Sequence, residues 1–127
     1  MLADVAPGVF DEPLDDRWVA QFLRDPRHHL VVAIVAGRVI GFVSAVHYVN
    51  PDKPSELWVN EVSVAPEHQR RGVGRLMLET VLKLGRELGC KVAWVLTDRA
   101  NAAAMRLYAA AGGVEAPEPS IMFEFSL

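Results

Sequence analysis

The densest group of chemistry-bearing residues is one short run, Gln69-Arg70-Arg71-Gly72-Val73-Gly74-Arg75. Its three arginines and two glycines stand just ahead of LMLETVLKLGREL, whose apolar spacing is that of a helix. A helix start leaves backbone amides unpaired and carries partial positive charge, so it attracts anions. Glycine lets the backbone approach a bulky anion and reach positive φ. Arginine supplies forked donors for phosphate oxygens. The run therefore has the makings of a pyrophosphate cradle. A charged, solvated helix start is the competing reading, although arginine there opposes the helix dipole unless an anion is present. The spacing is neither a Walker loop, which needs lysine followed by serine or threonine, nor GxGxxG, because the glycine after Gly74 is Gly85.

Other polar residues stand out singly. Glu61 sits among Val59, Val62 and Val64, where a carboxylate needs a partner, solvent or a task. Strict strand alternation puts Val59, Glu61 and Ser63 on one face and Asn60, Val62 and Val64 on the other. Tyr108 lies in an alanine-rich segment, where it reads either as a packed tyrosine or as a proton donor. Asp98 follows a strand end and can meet a cation or cap the next helix. Asp11, Glu12, Asp15 and Asp16 form an acidic stretch that would complement a cationic ligand. His28, His29, His47 and His68 show no metal-ligand spacing among themselves or with Cys90, so no metal is expected. Cys90 reads as a packing residue.

The elements that must position these residues follow from periodicity. Asp15 or Asp16 can cap a short helix carrying Trp18, Val19, Phe22 and Leu23, which Asp25-Pro26 ends. LVVAIV (30–35) reads as a buried strand, Ala36-Gly37 as a turn, RVIGFVSAVHYV (38–49) as its partner and ELWVNEVSV (56–64) as a third strand. Val73, Leu76, Met77, Val81, Leu84 and Leu88 share a helix face that Gly89 terminates, with Glu79 and Lys83 able to pair on the other side. KVAWVLT (91–97) is the next strand, 101–111 a helix stopped by Gly112-Gly113, and IMFEFSL (121–127) a closing strand. The result is an α/β fold: a mixed, mostly antiparallel sheet with flanking helices, and strands 56–64 and 91–97 as parallel neighbours across a helix.

The 127 residues fit a single domain over 1–127, with no repeat or linker. A formal charge of −3 argues against general nucleic-acid binding. No apolar stretch has the length of a membrane span, and the acidic start is unlike a secretory signal. The lone cysteine permits no internal disulfide, so a cytoplasmic setting is expected.

Two motifs narrow the chemistry. Val62, Val64, Pro66, Gln69, Gly72, Val73 and Gly74 spell V-x-V-x-P-x-x-Q-x-x-G-V-G. Asn101, Ala104, Leu107, Tyr108 and Gly112 spell N-x-x-A-x-x-L-Y-x-x-x-G. In this order the pair closely resembles the acyl-CoA signature of the GNAT superfamily of N-acetyltransferases, over nearly all of residues 30 to 127. Within that superfamily, HYVNPDKPSELWVNEVSVAPEHQRRGVG and the short end after Gly113 look most like aminoglycoside 3-N-acetyltransferases.

The resemblance implies a splayed sheet whose strand backbone at Val62, Ser63 and Val64 pairs with the pantetheine arm of acetyl-CoA. It implies pyrophosphate on the loop Gln69, Arg70, Arg71, Gly72, Val73, Gly74 and Arg75, and a cofactor-arm hydrogen bond from Asn101. Tyr108 matches the tyrosine near the sulfur, suited to protonating the departing thiolate. Glu61, or a water chain, would take the proton from the amine, and Asp98 would face the acceptor. The acceptor implied is a small cationic amine such as an aminoglycoside; a protein or other metabolite amine, and a non-catalytic acyl-CoA-binding module, are the alternatives. Homodimers are common in the superfamily, which leaves a homodimer open here. The chain departs from the family's pattern at its start, where the first strand is expected to be missing, and after Gly113, where only one strand is expected.

Overall fold

A computed structural model describes residues 2–127. Helix α1, Asp16–Arg24, begins where the Asp15 carboxylate accepts the Arg17 and Trp18 backbone N–H groups at 2.9 and 3.3 Å. Strands β1 (His28–Val35), β2 (Arg38–Tyr48) and β3 (Glu56–Val64) follow as an antiparallel meander. A 3-10 turn at Pro66–His68 leads into helix α2, Val73–Glu87. Strand β4 (Val92–Val95) and helix α3 (Ala102–Ala110) come after it. The sheet order is β1-β2-β3-β4, and β4 runs parallel to β3. The parallel pair is the expected outcome of joining two strands through a helix.

The meander forms because its strands are rich in valine and isoleucine and are separated by proline- or glycine-bearing turns. One sheet face meets α2: Val43, Ala45, Leu57 and Val59 pack with Met77, Leu78 and Val81. The helix comes close because Gly85 sits over Leu57; a Cβ there would lie 2.9 Å from Leu57 Cδ2. A second cluster is built by Val39, Ile40 and Phe42 with Ala6 and Val9, and Phe10 stacks on Phe42 at 4.2 Å between ring centroids.

Four expectations need correction. Val59 and Glu61 do not share a face. Ala45 pairs with Val59 and Ser44 with Glu61, so Asn60 is an extra residue in a β-bulge that shifts the alternation by one. Val59 thus packs with Val62 and Val64 toward α2, while Glu61 shares the opposite side with Ser44. The strand expected at 91–97 is shorter, because its pairing with β3 stops at Val59–Val95. Glu79 pairs with Arg75 at 2.8 Å rather than with Lys83. Residues 121–127 lie in no strand: their pattern suits one, but strand structure needs a hydrogen-bonded neighbour and the chain offers them none here.

Among the described residues no strand precedes α1. The segment before it makes a single parallel bridge, Val5 to Val39, with Val39 N–H donating to Asp4 O at 2.9 Å and Ala6 N–H to Val39 O at 2.8 Å.

Candidate active site

Where β3 parts from β4 the sheet opens. Pairing with β4 ends at Val59, yet β3 stays bonded to β2 as far as Val64–Gly41. The backbone of residues 60–64 therefore has one edge without a strand partner. This edge forms part of a cleft of about 550 Å³ lined by Val62, Ser63 and Val64.

The second wall is the loop into α2. Arg70 and Gly72 both have left-handed backbones, φ 62° and 80°, and Gly72 is the residue at the N-cap of α2. Such a conformation is uncommon for arginine and is the ordinary province of glycine. No side chain caps this helix start, and its first turn holds no acidic residue. Its leading amides are thus without intrahelical partners and directed at the N-terminal end of the helix. The Gln69 side chain ties the loop back to the sheet by donating from Nε2 to Val64 O at 2.9 Å. Gln69, Arg70, Gly72, Val73, Gly74 and Arg75 all line the cleft; Arg71 is exposed and does not.

Helix α3 makes the third wall. Asn101 caps it, Oδ1 accepting the Ala104 N–H at 3.0 Å, and also lines the cleft. Tyr108, less than two turns on, lines the cleft as well. Burial alone pushes its hydroxyl above the usual phenol range, so it stays protonated through neutral pH. Asp98 is absent from the cleft lining; Oδ1 accepts the Ala100 N–H at 3.0 Å in the turn before α3.

Besides alanines of α3, the cleft is lined by Arg106, His68 and Gly8, which were not singled out from the sequence for this role. Arg106 stands between Asn101 and Tyr108, the one cation in an otherwise uncharged helix, which is the signal that could have marked it. His68 and Gly8 also line the cleft, Gly8 brought by the loop that packs on Pro66. With these the electrostatics become one-sided. Arg70, Arg75 and Arg106 line the cleft and no carboxylate does, although the chain as a whole carries net negative charge. An anion is the ligand such a lining favours.

Glu61 lies across β3 from this lining. Burial, and then the negative charge of Asp11, push its carboxyl above the usual glutamate range. Ser44, opposite it in the register, is buried, and its hydroxyl has no partner among the described residues. The loop residue Asp11 and the strand residue Glu61 are thereby brought together, a pairing the sequence did not point to. His47 instead meets His29, Nδ1 to Nε2 at 2.7 Å, and burial first, then the neighbouring histidines, hold His29 below its ordinary range. Tyr48 accepts from Trp94 Nε1 at 2.7 Å and bonds Glu56. Burial raises the Cys90 thiol, which fits packing rather than reactivity.

Comparison with known proteins is consistent with this geometry. Residues 2–112 match the acetyltransferase (GNAT) family. The N-alpha-acetyltransferase RimI of Mycobacterium tuberculosis is 34% identical over 104 residues, covering 82% of this chain and 63% of that protein. The mycothiol acetyltransferase of Pseudarthrobacter chlorophenolicus is 34% identical over 85 residues, covering 66% of this chain and 26% of that one. The chain thus spans less than two thirds of the length of these curated relatives. Among solved structures, an aminoglycoside acetyltransferase from an uncultured soil metagenomic sample superposes with a TM-score of 0.81 at 18% identity, over 93% of this chain and 77% of that one. An aminoglycoside N-acetyltransferase in complex with CoA superposes at 0.73 with 24% identity, over 85% and 73%. The uncapped helix start, the open strand edge and the match over 2–112 lead to one conclusion: the chain belongs to the GNAT family of acetyltransferases.

Proposed function

We propose that the chain transfers an acetyl group from acetyl-CoA to the amine of a small cationic acceptor, with an aminoglycoside-like polyamine as the leading class. One observation carries the reading. The free edge of β3, the uncapped start of α2 and the Tyr108 side chain open into one cleft whose charged lining residues are cationic.

In this reading the amides from Gly72 to Arg75 and the side chains of Arg70 and Arg75 hold the pyrophosphate of CoA. Val62, Ser63 and Val64 offer backbone groups to the pantetheine arm as an added strand would. Asn101 hydrogen-bonds the same arm. Glu61, directly or through water, accepts a proton from the acceptor ammonium. The freed nitrogen lone pair forms the C–N bond at the thioester carbonyl, the C–S bond breaks, and the Tyr108 hydroxyl protonates the departing thiolate. The states of both groups suit these tasks: a phenol still carrying its proton, and a carboxyl that partial burial and the charge of Asp11 raise above the usual glutamate range.

Asp11, beside Glu61, supports a cationic acceptor by charge complementarity. The structural similarity to aminoglycoside acetyltransferases supports the same class. The test is thiol release from acetyl-CoA with aminoglycosides, polyamines and peptide α-amines as acceptors. Turnover should be highest with aminoglycosides, and NMR of the product identifies the acetylated position; the 3-amine is what the sequence resemblance implies. Preferential turnover of a peptide α-amine would favour a protein substrate instead, a second reading supported by the 34% identity to an N-alpha-acetyltransferase. CoA binding without turnover of any amine would overturn the catalytic reading.

A further inference from the structure

The face of the sheet turned away from α2 carries its own set of polar and aromatic side chains. The strand register puts Ser44, Val46 and Tyr48 of β2 on it, opposite Glu61, Trp58 and Glu56 of β3, and sets Trp94 of β4 beside Trp58. At one end the loop bearing Phe10 and Asp11 covers Phe42 and brings Asp11 to Glu61. Beyond that loop Val46, Tyr48, Trp58 and Trp94 stay only partly covered.

The far end of this face is held in order by hydrogen bonds. The Trp58 and Trp94 rings stack with centroids 5.5 Å apart, and Trp94 Nε1 donates to the Tyr48 hydroxyl at 2.7 Å. Tyr48 in turn donates to Glu56 Oε1 at 3.3 Å, and Asn50 Nδ2 donates to Oε2 at 3.2 Å. These bonds fix the Glu56 carboxylate near the tryptophans, yet both donors are neutral. No arginine or lysine pairs with Glu56 among the described residues. At the near end Ser44, opposite Glu61, is only 7% exposed, and its hydroxyl has no partner among the described residues. A carboxylate without a cation and a buried hydroxyl without a partner both gain from a ligand that donates hydrogen bonds.

Along β2 the register separates the two carboxylates by four residues, Ser44 to Tyr48, or about 13 Å at the usual strand rise. The tryptophan pair lies between them, and aromatic faces accept both C–H surfaces and cations. We propose that this face selects acceptors with two cationic nitrogens about 10–13 Å apart, the reacting one at Glu61 and the second at Glu56, with the carbon frame between them lying on Trp58. Trp94 and Tyr48 are positioning residues that aim the Glu56 carboxylate. The inference rests on the acetyl-transfer reading only at Glu61; binding of the second nitrogen at Glu56 does not require it.

The experiment is calorimetric titration of straight-chain monoamines and α,ω-diamines into the full chain, with thiol release from acetyl-CoA measured on the same amines. Comparison at equal chain length cancels the apolar contact. The diamine should then gain about 5–10-fold over the monoamine once its nitrogens span about 10 Å, and not before. Glu56→Gln keeps an oxygen for Tyr48 and Asn50 and should remove that gain, acting on KM rather than kcat. A diamine advantage that does not depend on length, or one that survives Glu56→Gln, overturns the proposal. Trp58→Leu should weaken monoamines and diamines alike, and Trp58→Phe should restore part of the loss; equal binding by all three chains also overturns it. Length-dependent binding without turnover would keep this site and sink the acetyl-transfer reading, whereas turnover without the length step would do the reverse.

Discussion

On the β3–α2 side of the cleft, Leu57, Val59, Met77, Leu78 and Val81 are all buried in one cluster, whereas on the opposite side α3 buries no residue fully and β4 is paired over only four positions. Both walls line the same opening. The first belongs to the core, so the glycine-bearing loop that opens α2 is anchored to the best-packed part of the molecule. The second has few buried contacts, which places it at the end of the molecule that opens at low free-energy cost. In the function proposed above, the wall that meets the donor is thereby the well-packed one, and the helix bearing Asn101 and Tyr108 is the loosely packed one.

The sharpest way to break this division is to separate chemistry from stability. Tyr108→Phe should cut acetyl-transfer turnover by about 10²–10⁴-fold, the usual worth of a positioned proton donor. Its denaturation midpoint should hardly move, because the hydroxyl has no hydrogen-bond partner among the described residues. Equal turnover in this variant would remove Tyr108 from the mechanism. Leu57→Ala should do the reverse, costing about 2–5 kcal/mol of stability by urea titration through cavity formation. Met105→Ala on α3, only partly buried, should cost clearly less; a similar cost would erase the contrast between the walls.

Finer changes sharpen the roles within each wall. Gly72→Ala places a Cβ on a backbone at φ 80° and should cost about 1–2 kcal/mol while raising KM for acetyl-CoA more than it lowers kcat. On the far side of β3, a base works only when deprotonated. A carboxyl raised by burial and by Asp11 therefore loses activity as pH falls through a value above the ordinary glutamate range. Asp11→Asn removes one raising charge, so the acid limb of kcat/KM should move to lower pH, and Glu61→Gln should abolish that limb. The smallest effect is expected at Ser44→Ala, within about 1 kcal/mol of neutral or slightly stabilising, because the deleted hydroxyl has no partner among the described residues.

Much of the fold was legible because its signals are local. Valine- and isoleucine-rich runs between turn residues gave β1 to β3, three-and-four spacing gave α2, and Asp15 and Asn101 are polar residues suited to capping. Most of the cleft lining was readable from two motifs that keep their residue types at fixed distances. What escaped was non-local. The bulge at Asn60 arises from pairing between β2 and β3, which no window of β3 alone contains. Residues 121–127 satisfy every local criterion for a strand and form none, because pairing depends on what lies alongside. Gly8 reaches the cleft through a loop folded across some sixty residues of sequence, beyond any spacing rule.

The extra residue at Asn60 has a consequence for how β3 can change. It works as a parity switch: everything before it counts from one side of the sheet and everything after it from the other. Removing Asn60 alone would make Val59 and Glu61 consecutive opposite Ala45 and Ser44, an ordinary alternation that leaves Val62 and Val64 toward α2 and Glu61 and Ser63 away from it. Straightening the strand with Asn60 kept in the ladder is the damaging change: Glu61 and Ser63 would turn toward Met77 and Val81, placing a charge in the core, and Val62 and Val64 would leave the cleft wall. A deletion at position 60 should thus keep both faces of the sheet and lose only the local bend and twist of the bulge.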